Sequence, residues 1–235
     1  MYGTCSILIG SIDRASGIRT MKTTKRTILL ACLAGMTFMS LSDAATISIN
    51  NHSFEANVYG SPGGSSSANT GWDEPAGATS GTGRTAVSQY DEPPGIPDGV
   101  NYAYTNGTGY LSQTLATTLQ INTVYTLTVA VGDRKDLTAP GYGIELWAGT
   151  TLIASDYHTD SGNSLPANGT WKDVVASYTS SASDPNAGQS LQIRLRGYGV
   201  QTNYDNVRLD GTLVPEPSSA LLGGLGLLLM LRRRR

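Results

Sequence analysis

Two carboxylates raise the first chemical question. Asp205, Val207 and Leu209 share one strand parity. If Val207 and Leu209 face a core, Asp205 points inward with them. A buried carboxylate is costly unless it is hydrogen-bonded, paired or metal-bound. Glu55 lies near the start of the same body, and the first and last strands of a sandwich are often neighbours. The pair can therefore hold a cation, or backbone N–H groups can cap each acid; the sequence leaves both open. Trp147 is the other residue with a chemical use. It alternates away from Ile144 and Leu146, so it is expected on an outer face as a flat ligand-binding ring. His158, in Asp156-Tyr157-His158-Thr159-Asp160, reads as a solvated loop histidine. No phosphate loop, dinucleotide fingerprint or Gly-x-Ser-x-Gly elbow occurs. The chain reads as non-enzymatic.

These residues need elements to hold them. Charged residues are 14% of the 235-residue chain, against roughly 25% in typical globular proteins. The 28 glycines mark a turn-rich chain, and two cysteines exclude a disulfide scaffold. Between Ala45 and Thr212 no helical period appears. Strand signals recur instead at 46–50, 124–131, 142–147, 170–179, 191–196 and 204–210, with weaker ones at 87–90, 102–105 and 110–115. This pattern predicts an all-β fold, a single jelly-roll β-sandwich. The Gly/Ser/Thr-rich stretch 60–83 is expected to be a long mobile loop. Residues 45–212 carry 7 basic and 15 acidic side chains, a net −8. Such a body is soluble and disfavours contact with nucleic acid.

The tails read as addresses. Residues 1–20 look like an over-extended start, because 21–44 is a complete signal peptide. Met21 to Arg26 is its basic region, Ile28 to Leu41 its apolar helix, and Ser42-Asp43-Ala44 its cleavage site. Residues 213–235 hold Pro215-Glu216-Pro217, an apolar Gly/Leu run from Ala220 to Leu231, and Arg232-Arg233-Arg234-Arg235. The run has the character of a short transmembrane helix with a basic stop. Together these features resemble the PEP-CTERM sorting signal of Gram-negative, exopolysaccharide-producing bacteria. That resemblance implies export across the inner membrane, transient membrane insertion and cleavage by an exosortase-type membrane peptidase. It implies release to the cell surface or extracellular matrix, in association with extracellular polysaccharide.

The body carries a second resemblance. Asn50-Asn51-His52-Ser53-Phe54-Glu55 opens it, and Tyr204-Asp205-Asn206-Val207-Arg208-Leu209 closes it. Trp72, Leu111 to Leu115, Tyr125 to Val129 and Trp171-Lys172-Asp173-Val174 lie between. This order is similar to the galactose-binding-like jelly rolls, including carbohydrate-binding modules. The similarity implies a structural Ca²⁺ at Glu55 and Asp205, and Trp171 packed on the core. The expectation is thus a non-enzymatic exported matrix protein. Its alternatives are a specific carbohydrate-binding module and a secreted glycan hydrolase.

Overall fold

The computed structural model describes residues 44–75, 79–86, 88–91, 95–137, 141–159 and 165–214, with Gly226 and Arg232. The signal segment through Asp43, the triplet Pro215-Glu216-Pro217 and Arg233 to Arg235 lie outside the described residues, as does nearly all of both expected helices. No helix of the described residues is long and apolar enough to cross a membrane.

Among the described residues, eleven strands form two antiparallel sheets. They are β1 (Ala45–Ile47), β2 (Ser65–Ser66), β3 (Thr79–Arg84), β4 (Asn101–Asn106), β5 (Tyr110–Thr118), β6 (Thr123–Gly132), β7 (Tyr142–Ala148), β8 (Thr151–His158), β9 (Trp171–Thr179), β10 (Ser190–Gly197) and β11 (Thr202–Leu213). The larger sheet runs β2-β3-β4-β11-β6-β9, with β1 also on β11; the smaller runs β5-β10-β7-β8. Alternation explains the sandwich. Tyr125, Leu127, Val129 and Val131 of β6 turn inward against Ile144 and Leu146 of β7 and Leu191, Ile193 and Leu195 of β10. Gln113 is buried among them, and its amide binds Asn50 N–H (2.8 Å), Asn50 C=O (2.8 Å) and Gly71 C=O (2.7 Å). Those bonds fasten the opening motif to the smaller sheet.

The stretch 60–83 is not one loop. It contains β2 and most of β3, whose Gly81 pairs with Tyr104 of β4. A Cβ at Gly81 would stand 2.5 Å from the Tyr104 hydroxyl. Glycine there lets a tyrosine ring lie across the strand, and the absence of side chains hides the strand from pattern reading. His158 likewise ends strand β8 rather than lying in a loop, and pairs with Asp156 at 3.1 Å.

Candidate functional site

Asp205 does not point into the core. Strand β11 shifts register between Asp205 and Arg208, and Asn206 there has φ 47°. One extra residue at such a bulge reverses parity. Tyr204, Val207 and Leu209 therefore face the core, while Asp205 and Asn203 face the opposite side of the larger sheet. Asp205 is still fully buried. It accepts N–H bonds from Asp98 (2.8 Å) and Asn206 (2.7 Å). Burial pushes its carboxyl up to about 8, the two N–H bonds lower it, and the charges of Asp98 and Glu55 raise it further. Glu55 Oε1 accepts N–H bonds from Val100 (2.7 Å) and Asn101 (2.6 Å). Backbone capping thus accounts for both acids. Among the described residues no three His, Cys, Asp or Glu side chains gather as a metal centre. The donors are all oxygen and lack a basic partner, which suits a hard cation such as Ca²⁺ in chemistry. Further ligands would have to be backbone carbonyls.

Beside Asp205 the outer face of the larger sheet becomes an aromatic recess. Register aligns Gly81, Tyr104, Asn203, Gly132 and Trp171 in one row across five strands. Tyr90, from the connection between β3 and β4, stacks on Trp171 at 4.7 Å between centroids and meets Tyr102 edge-on at 6.3 Å. Gly132 makes room for both: a Cβ there would stand 2.6 Å from the Tyr90 hydroxyl and 2.9 Å from the Trp171 ring. Trp171 therefore lies on the outer face with Tyr90, not on the sandwich core. Asn203 Nδ2 donates to the Tyr90 hydroxyl at 2.6 Å. Burial pushes the Tyr90 phenol well above its usual value, against the lowering by Asn203. Tyr102 is raised by burial too.

Among the described residues, three buried polar atoms on or next to this row have no hydrogen-bond partner: Asn203 Oδ1, Trp171 Nε1 and Asp133 Oδ1. Asp133 directly follows Gly132 and is 3% exposed, and its charge contributes to the rise at Tyr90. Burial raises the Asp133 carboxyl above the ordinary range. A cavity of about 340 Å³ opens alongside, lined by Ile96, Pro97, Ala130, Trp171 and Asp173 among others. Its size is that of a small-molecule site. Trp171 lines the cavity, and because unpartnered buried polar groups are rare and costly, the space against it marks a place for a ligand. The stacked rings fill their own space, and the cavity beside them can hold a small apolar molecule against Trp171.

Sequence comparison supplies the class. The HpiC1-like family profile, described as HpiC1 cyclase, matches residues 45–210. The chain belongs to the HpiC1-like cyclase family. Solved structures agree. An apo cyclase from Fischerella sp. is 28% identical, with TM-score 0.65, over 74% of this chain and 98% of that one. The Stig cyclase Fisc from Fischerella sp. TAU, bound to (3Z)-3-(1-methyl-2-pyrrolidinylidene)-3H-indole, is 28% identical with TM-score 0.66 over 74% and 100%. A cyclase from Fischerella sp. TAU with 4-(1H-indol-3-yl)butan-2-one is 27% identical with TM-score 0.64 over 73% and 100%. No curated protein matches. Membership in a cyclase family corrects the expectation of a non-enzymatic matrix protein. It also replaces the carbohydrate-binding and glycan-hydrolase alternatives, and the exosortase and polysaccharide partners.

The expected site residues fall in different places. Glu55 and Asp205 stand beside the recess of this HpiC1-like chain. Trp147 lies on the outer face of the other sheet, half-buried and tied to Glu145. Pattern reading missed Asp133, which follows the alternating strand β6 in a run that looks like a turn. Asn203 was also missed, although it shares parity with Asp205.

Proposed function

We propose that this chain is a cyclase that closes a ring on a small, flat, largely apolar substrate, held in the cavity that Trp171 lines with Ile96, Pro97 and Ala130. The observation that carries the reading is a row of the larger sheet in which Asn203 Oδ1 and Trp171 Nε1, with Asp133 Oδ1 one residue beyond it, are buried without a hydrogen-bond partner. The Asp133 carboxyl, which burial raises above its ordinary value, gives a proton to the substrate. The aromatic faces stabilise the cation so formed. Ring closure then returns a proton to the carboxylate, so the substrate is isomerised without any oxidant. Asn203 Oδ1 accepts from the substrate and Trp171 N–H donates to it, fixing the conformer that cyclises. The relatives' bound molecules are indole derivatives, which makes an indole-bearing substrate the first to try. Calorimetric titration with 4-(1H-indol-3-yl)butan-2-one tests the site: saturable binding is expected, weakened about tenfold in Trp171→Ala by loss of ring contact. Absence of binding by a folded protein would sink the reading.

A structural Ca²⁺ between Glu55 and Asp205 belongs to the same proposal. The ion would offset the cost of burying Asp205 near two further carboxylates, and no proton transfer runs through it. Ca²⁺ is expected to raise the melting midpoint and a chelator to lower it. A midpoint indifferent to both removes the metal.

A further inference from the structure

The outer face of the smaller sheet holds a second cluster, which the proposed cyclisation does not use. Register sets it in three rows. Tyr110, Arg196, Gly143 and Tyr157 form one; Ser112, Arg194, Glu145 and Ser155 the next; Thr114, Gln192, Trp147 and Leu152 the third. Glu145 sits at the centre and is 1% exposed. Its Oε1 accepts from Arg196 Nε at 2.7 Å and from the Tyr157 hydroxyl, and its Oε2 accepts from Trp147 Nε1 at 2.6 Å. Burial raises the Glu145 carboxyl, but these donors hold it below its usual value. A buried ionised acid contributes little to stability for its desolvation cost. Here it fixes three large side chains around itself.

The fixed side chains present one free charge. Arg196 is neutralised by Glu145. The Arg194 guanidinium lies over the Trp147 ring at 4.0 Å and beside Tyr110 at 5.2 Å. Its Nε donates to Gln192 at 2.7 Å, and no carboxylate pairs with it among the described residues. Stacking holds its terminal N–H fork in one plane without occupying it. Arg194 and Arg196 share these rows with a single carboxylate, Glu145, so the local balance of charge favours an anion. Tyr157, on the strand beyond Glu145, is 36% exposed, and its ring lies over Gly143 with its hydroxyl on Glu145.

We propose that this face binds a planar aromatic carboxylate, its carboxylate on the Arg194 fork and its ring against Tyr157. The inference stands apart from the recess and does not depend on it. The probe is 2-naphthoate, with acetate and 2-naphthylmethanol as the bare acid and the neutral ring. Titrated into the ¹⁵N-labelled full chain, 2-naphthoate is expected to shift the Trp147 indole N–H resonance saturably. The alcohol and acetate should bind at least about tenfold more weakly, since each lacks one half of the contact. Arg194→Gln should weaken 2-naphthoate by at least about tenfold, and Arg194→Lys by less, because it keeps the charge and loses the fork. Three results would overturn the proposal: no saturable shift at Trp147, a shift at the Trp171 resonance instead, or equal affinity for 2-naphthoate and the alcohol.

Discussion

Asp133 carries the chemical proposal, and its protonation can be followed. Burial raises its carboxyl in the folded state. The folded protein therefore holds this proton more tightly than the unfolded chain does. That contribution to stability is fully present below the unfolded pKa and is lost as pH rises through the folded one. Asn cannot ionise, so Asp133→Asn escapes the loss. Denaturant unfolding across pH should show the stability difference moving in favour of the variant as pH rises through the folded-state pKa. The same substitution should slow cyclisation by about 10²–10⁴-fold, the usual contribution of a general acid. A difference independent of pH would mean that Asp133 does not hold its proton unusually tightly.

Strands were legible where side chains alternate and illegible where function removes them. The β6, β7 and β10 patterns predict their strands closely, because both faces carry residues that reveal their side. β3 escapes notice, because Gly81 and Gly83 lie beneath tyrosines. The bulge at Asn206 escapes for a different reason: parity counted back from Leu209 crosses an extra residue and places Asp205 on the wrong face. Strand pattern alone thus located the acid but not its surroundings, and Asp133 and Asn203 became visible only once register aligned β11, β6 and β9. Gly132 tests that alignment. Gly132→Ala puts a methyl group against the Tyr90 hydroxyl and the Trp171 ring. Overpacking of this kind costs about 1–3 kcal/mol. The expected result is a lower unfolding midpoint, weaker ligand binding in the recess, and a displaced Trp171 ring in a crystal structure of the variant. Wild-type affinity with Ala at this position would mean that the recess does not bind the ligand.

The two outer faces are separated by the thickness of one core, and Tyr204 spans it. Its backbone lies between Asn203 and Asp205 on the recess sheet. Its fully buried ring crosses the sandwich, and its hydroxyl donates to the Arg196 carbonyl and lies 3.3 Å from both the carbonyl and the N–H of Gly143. Arg196 and Gly143 belong to the row that carries Tyr157 on the opposite face. Burial pushes the Tyr204 phenol far above its usual value, so it remains a neutral donor at any pH the protein meets. Tyr204→Phe keeps the ring and removes only this tie. Leaving buried partners unsatisfied costs about 1–3 kcal/mol. The loss should appear as faster amide hydrogen exchange in β7 and β10, on the sheet that does not contain the mutation, together with a lower denaturation midpoint. Faster exchange confined to β11 and its neighbours β4 and β6 would mean that the hydroxyl serves its own sheet. The two faces would then be coupled by apolar packing alone.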